Sequence, residues 1–180
     1  LFIMLTSSKP YIRKKAVTAL FKVFLQYPEA LRDNFDKFAS KLEDEDISVV
    51  SATVSVVCEL SKMNPQPFIQ LSPLLYEILV TISNNWIIIR LLKLFTNLSK
   101  VEPKLRPKLL PKILELMEST VATSVLYESI NCIIKGNILE RDDYDTAMIC
   151  LDRLHTFCDS SDPNLRYISC VLFYKIGKIN

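Results

Sequence analysis

The stretch NNWIIIRLLKLFTNLSKVEP (residues 84–103) decides the fold. Its apolar residues Ile87, Leu91, Leu94, Phe95 and Leu98 recur at helical spacing, which puts them on one face of a helix and not on alternating sides of a strand. Pro103 pushes Glu102 out of the α region, so the run ends there. Two earlier runs close in the same way, LQYP at Pro28 and KMNP at Pro65, and the three prolines lie 37 and 38 residues apart.

Aligning the runs outward from this stretch sets Ile12, Val49, Ile87, Leu126 and Leu165 in register. The first run offers Ile12, Ala16, Ala19, Leu20 and Val23, and the last offers Leu165, Leu172, Phe173 and Ile176. The second places Thr53, and the fourth Asn137, where an apolar residue is expected. Residues 29–42, 67–82, 104–120 and 142–159 read as the partner helices between the runs. Two helices every 37 to 39 residues predict an all-α chain, an α-solenoid (superhelix) of HEAT- or armadillo-like helical hairpins. The expected repeats are 1–28, 29–65, 66–103, 104–141 and 142–180, forming one helical-repeat segment. Apolar residues at 1–5 and 176–179, with no polar capping repeat, predict an internal stretch with neighbours on both sides.

Local signals refine the helix ends. Asp162 and Pro163 read as an N-cap and first position, and Asp142, Asp143 and Asp145 complement a helix start. The acids Glu43, Asp44, Glu45 and Asp46 do the same for the second run. Ser72 is expected to cap a helix starting at Pro73, after a short turn around Pro67. Pro107 and Pro111 are expected to hold their segment extended until a helix starts at Pro111. Residues 137–145 (NILERDDYD) read as a variable loop.

Composition narrows the function classes. The 180 residues carry 22 basic and 20 acidic side chains, a net charge of +2, so there is no global pull toward nucleic acid and none is expected as a partner. Two glycines, Gly136 and Gly177, are too few for a dinucleotide fingerprint, Walker loop or kinase glycine loop. With His155 the single histidine, no site needing two imidazoles can be built, and no catalytic residue, cofactor or metal site is expected. No apolar run exceeds five residues, so none spans a bilayer. Cys58, Cys132, Cys150, Cys158 and Cys170 form no CxxC pair and sit in apolar helical segments. They read as buried, reduced thiols of an intracellular protein.

Two basic clusters remain as candidates for contact with an anionic lipid or an acidic partner. The first is Lys9, Arg13, Lys14 and Lys15, with Lys22 one to two turns on; Arg13 shares its phase with Arg166 and reads as a structural arginine reaching toward an adjacent repeat. The second, Lys104, Arg106, Lys108 and Lys112, has four bases and no acid in nine residues. A solvated helix face for the first cluster and an ordinary turn for the second are the favoured readings of the sequence alone. His155 and Cys158 read as a packed pair. Trp86 reads either as a core or inter-repeat anchor or as an exposed hot spot.

The strings KPYIRKKA (9–16), YPEALR (27–32), KLEDEDISV (41–49), NNWIIIRLLKLF (84–95), LYESIN (126–131) and DPNLRYIS (162–169) resemble the trunk of the large adaptins, most of all the delta-adaptin branch. The likeness runs in order along nearly the whole chain. It implies a non-catalytic scaffold of a vesicle-coat adaptor complex, paired with a second large subunit and with medium and small subunits. Such complexes sort cargo from Golgi or endosomal membranes to the lysosome or vacuole. The family also implies an Arf-type GTPase and dileucine cargo as partners of the whole complex, and peripheral membrane association from the cytoplasm. None of the family's contact residues is matched here, so no site is carried over. The period alone would suit a generic HEAT-repeat binding module, such as a transport receptor or phosphatase scaffold; KPYIRKKA and NNWIIIRLLKLF favour the adaptins.

Overall fold

The computed structural model describes residues 1–179. Ten α-helices joined by short 3-10 turns make up the described chain, with no strand among the described residues. This is the helical-solenoid class that the repeat period predicts. The chain divides between Leu94 and Phe95 into two compact units.

The first unit holds α1 (Pro10–Gln26), α2 (Pro28–Asp33), α3 (Phe35–Ala39), α4 (Ile47–Ser61), α5 (Ser72–Thr81) and the first turns of α6 (Asn85–Val101). Helix α1 lies along α4. It buries Ala16, Val17, Leu20 and Phe24 against a valine-rich α4 face that includes Val49, Val50, Val54 and Val57. Each such large side chain contributes roughly 1.5–3 kcal/mol on leaving water. Thr53 sits buried in this apolar stripe with its hydroxyl satisfied, donating to the Val49 carbonyl at 2.8 Å. Rings close the other side, with Phe24 edge-on to Phe38 at 5.2 Å and Phe35 5.9 Å from Phe68.

The second unit holds the rest of α6, α7 (Arg106–Ser119), α8 (Thr123–Lys135), α9 (Tyr144–Cys158) and α10 (Pro163–Ile176). Helix α7 packs on α8, and α9 on α10, which also touches α8. Helix α8 is therefore central, and every residue from Glu128 to Ile134 is buried. It ends at Gly136. A Cβ there would stand 2.5 Å from the Cys132 carbonyl oxygen and 2.6 Å from the Ser99 hydroxyl, so only glycine fits. Asn137 then turns the chain with a positive φ of 56°.

Several helix ends fall where expected. Asp46, Asp143 and Asp162 cap α4, α9 and α10 with their carboxylates. Other expectations fail. The single helix expected over 29–42 breaks at Asn34, whose side-chain amide donates back to the Ala30 carbonyl. Ser72 does not cap; its hydroxyl donates to Ile69 instead. The segment before Pro111 is not extended, since α7 begins at Arg106 with Pro107 in its first turn and Pro111 inside it. Burial of Leu109, Ile113 and Met117 on one face holds α7 together despite the lost donor of Pro111. The loop after Gly136 is anchored, because Ile138 and Leu139 are buried and both backbone amides reach the Ile133 carbonyl.

Arg13 ties the first unit across its sequence. Its Nε and Nη2 donate to the two carboxylate oxygens of Asp44 at 2.8 and 2.7 Å, and its Nη1 donates to the Ser7 carbonyl at 2.8 Å. The turn before α1 is thereby bonded to the turn before α4. Arg166 repeats half of this, with Nη1 donating to the Ser160 and Ser161 carbonyls at 2.8 and 3.4 Å. The arginine expected to reach an adjacent repeat does so at Arg13.

Hydrogen bonds from Arg13 hold the Asp44 carboxyl below its ordinary value. A depressed carboxylate stabilises the fold above the unfolded pKa, about 3.9, and that stabilisation is lost as pH falls through the lower, folded value. Thermal melts should therefore show Asp44→Asn less stable than the parent at pH 7, with the gap shrinking toward pH 3. Gly136→Ala should cost about 1–3 kcal/mol by overpacking, read from urea midpoints.

Candidate interaction surfaces

Helix α1 carries four bases and no acid. Arg13 is consumed by Asp44, which leaves Lys14 and Lys15 exposed on the outer turn. The Lys15 ammonium sits 5.4 Å from the centre of the Tyr11 ring, a cation–π pair that keeps its charge on the surface. Lys14 instead edges a hollow formed with α4 and the start of α6. The positive charge of this cluster thus belongs to two lysines with different surroundings.

In the second unit Lys104 lies on the 3-10 turn Pro103–Leu105, and Lys108 on the first turns of α7; both are exposed. The other two members are engaged. Arg106 Nε donates to the Ser99 carbonyl at 3.2 Å, binding α7 to α6. Lys112 pairs with Glu115 at 2.9 Å, and its side chain is only 12% exposed. Acids also face this cluster, since Glu140, Asp142 and Asp143 line one hollow of about 500 Å³ with Arg106, Pro107 and Leu110. Helix formation at Arg106 explains the arrangement. A helical α7 turns Lys108 and Lys112 onto neighbouring turns and sets the start of α7 beside the acidic loop.

Further side chains take places that the sequence did not settle. Trp86 is 59% exposed at the start of α6, with the Arg90 guanidinium 5.1 Å from its ring centre, so it is no core anchor. Arg90 in turn reaches Glu59 at 2.9 Å. Hydrogen bonding from Lys62, with Arg90 adding its charge, holds the Glu59 carboxyl below its ordinary value. His155 and Cys158 do not pack together: the exposed His155 ring approaches Asp159 at 3.8 Å, while the Cys158 sulfur lies 3.3 Å from the Ser169 hydroxyl. Cys58, Cys132 and Cys150 are buried as expected, and burial pushes the thiols of Cys132 and Cys150 up to about 12. Against the expectation of five buried thiols, Cys158 is only partly buried and Cys170 on α10 is exposed. Within LYESIN the buried Asn131 amide donates to the buried Glu128 carboxylate at 2.9 Å, a polar pair that no periodicity could announce.

Among the described residues no group of three or more His, Cys, Asp or Glu side chains could hold a metal ion. No helix among them is long and apolar enough to cross a membrane.

Comparison with known proteins agrees with the fold and with the strings that carry the resemblance. The model of the family described as "Adaptin N terminal region" matches residues 1–180. The chain is 86% identical to the AP-3 complex subunit delta of Saccharomyces cerevisiae over 180 residues, all of this chain and 19% of that protein. It is 76% identical to the AP-3 complex subunit delta of Eremothecium gossypii, again over its full length and 20% of the relative. The chain thus spans about a fifth of the length of these curated relatives. Among structures, it aligns with a homology model of the full-length AP-3 complex in an intermediate open conformation, with a TM-score of 0.86 and 86% identity, covering 99% of this chain and 31% of that one. With a family match along its whole length and delta subunits as its near relatives, the chain belongs to the adaptin family, within the region that forms the adaptin N-terminal part.

Proposed function

We propose that the chain is a non-catalytic scaffold segment of a vesicle-coat adaptor complex of the AP-3 kind. The observation that carries this reading is the 86% identity to an AP-3 delta subunit along every residue of the chain. A surface built of stacked helices suits the role, because each turn between repeats offers side chains for contact while the interior is filled by Leu, Val, Ile and Phe. The scaffold holds a second large subunit together with medium and small subunits. Through the assembled complex it takes part in sorting dileucine cargo, in contact with an Arf-type GTPase, from Golgi or endosomal membranes toward the lysosome or vacuole. It acts from the cytoplasm as a peripheral component. The hairpins 1–28, 29–65, 66–103, 104–141 and 142–180 serve as its repeating units.

Lys14, Lys15, Lys104, Arg106, Lys108 and Lys112 remain the residues assigned to anionic contacts, in different capacities. Lys104 and Lys108 meet the anionic surface directly, each contributing on the order of 1 kcal/mol near a charged bilayer. Arg106 and Lys112 shape the turn that presents them.

Purification of the chain from cells through an affinity tag should recover one other large, one medium and one small subunit in equal amounts. A chain recovered alone, or with a phosphatase or transport receptor, would refute the scaffold reading. In the purified complex, Lys104→Glu with Lys108→Glu should lower co-sedimentation with phosphatidylserine vesicles several-fold and leave the melting temperature unchanged. Undiminished co-sedimentation removes these two lysines from the membrane contact.

A further inference from the structure

Two stretches of the chain share the pattern Ser-Ser-x-Pro-x-x-Arg, residues 7–13 leading into α1 and residues 160–166 leading into α10. Both arginines fold back and donate through Nη1 to the carbonyls of their serine pair, at 2.8 and 3.3 Å from Arg13 and at 2.8 and 3.4 Å from Arg166. A guanidinium held by that nitrogen keeps its Nε and Nη2 as a planar fork shaped for a carboxylate. At Arg13 the fork is filled, by the two oxygens of Asp44 at 2.8 and 2.7 Å. At Arg166 it meets no carboxylate among the described residues, and the side chain is exposed.

The helices that follow differ in the same place. Position by position, α10 is α1 shifted by the 153 residues between the two arginines (166 − 13). Below Arg13, α1 buries Val17, Leu20 and Phe24 against α4, each 3% exposed or less. Their counterparts on α10 are Cys170, Phe173 and Gly177; Cys170 and Gly177 are exposed and Phe173 is half-buried. A different side of α10 is already filled, with Ser169, Leu172 and Ile176 buried and α9 and α8 as neighbours. Charge points the same way. From residue 163 to residue 180 there are three bases and no acid. In the turn before them, the Asp162 carboxylate is spent on the Asn164 amide and Asp159 lies 3.8 Å from the His155 ring.

We infer that the face of α10 formed by Arg166, Cys170, Phe173 and Gly177 seats a helix from a further hairpin of this repeat kind, with Arg166 receiving an aspartate or glutamate from the turn that leads into that helix. The α1 and α4 pair sets the register. Asp44 stands three residues ahead of Ile47, the first residue of α4, and the acid that meets Arg166 stands at the same remove from its own helix. Gly177, in the place of Phe24, leaves room for a large apolar side chain of the occupant, since a Cβ built there comes no closer than 3.6 Å to its surroundings. Two parallel bonds from one guanidinium fix direction as well as distance, so Arg166 decides how the incoming helix lies along α10. A bilayer or a short extended peptide cannot offer a carboxylate in step with an apolar helical stripe. The inference stands apart from the scaffold reading, which names no contact residue on α10.

The test uses the protein purified from cells through an affinity tag, in the assembly it forms there. Alkylation by N-ethylmaleimide, read by mass spectrometry, reports the cover directly through Cys170. Beneath a helix Cys170 should react at least about tenfold more slowly in the native protein than in urea, in step with the buried Cys132 and Cys150. Arg166→Gln should raise native alkylation of Cys170 several-fold while Cys132 and Cys150 stay protected, which verifies that the unit remains folded. In Arg166→Lys, a carbodiimide should couple the introduced amine to an aspartate or glutamate just ahead of the first residue of a helix. Rapid native alkylation of Cys170, protection seen only on phosphatidylserine vesicles, absence of coupling, or coupling to an acid with no helix after it overturns the proposal. So does an Arg166→Gln variant whose Cys170 stays as protected as in the parent. Recovery of the chain without other subunits counts against the scaffold reading alone, because these readouts are taken on the chain itself.

Discussion

A pair of helices of this length cannot bury its own apolar stripe, and every other feature follows from that constraint. Helix α1 covers Leu20 and Phe24 only by lying on α4, and α8 is buried from Glu128 to Ile134 only because α7 and α10 both press against it. Stability is therefore a nearest-neighbour property, with interfaces between successive hairpins contributing what each hairpin lacks. Such an architecture leaves the outward faces and the turns with little structural duty. That is where the exposed lysines and Trp86 are found.

Electrostatics fixes the relation between neighbours more finely than packing does. The Arg13 guanidinium is a planar fork, able to meet a carboxylate with two parallel bonds while its third nitrogen holds a carbonyl. With the Asp44 carboxylate and the Ser7 carbonyl it does both, so one side chain ties together two turns whose bonded residues are 37 positions apart (44 − 7). Its neighbours on α1 have no such partner. The same helix thus holds a structural cation and, one and two residues on, cations that face outward. The consecutive bases Arg13, Lys14 and Lys15 of α1 look alike in sequence, and only the position of an acid in the next repeat sorts them.

The helices, their period and most of their caps were legible because they depend on local chemistry. Prolines at 28, 65 and 103, the capping acids Asp46, Asp143 and Asp162, and the stripe from Ile87 to Leu98 each act within a few residues of themselves. Failures occurred where a packed face, or a competing local hydrogen bond, overrode the expected preference. Pro111 should interrupt a helix, yet the buried face of Leu109, Ile113 and Met117 carries α7 through it. Residues 29–42 lack enough apolar periodicity to continue past Asn34, where the side chain finds a backbone partner. The matching segments SSKPYIR and SSDPNLR did hold a readable sign of the Arg13 and Arg166 carbonyl clamps, in the serine pair six and five residues before each arginine.

The amino-acid order by itself determined an all-helical chain of repeating hairpins and its membership among adaptin-like strings, since both reside in spacing and in residue identity. Tertiary structure alone decided which charges are available. Arg13 and Arg106 are spent on Asp44 and the Ser99 carbonyl, while Lys14, Lys104 and Lys108 stay exposed. It also decided that Trp86 stands at the edge of a groove with a floor of serine and alanine. The reason is geometric: a side chain's partner is set by which residues another helix brings within about 3 Å, and no local pattern encodes that distance.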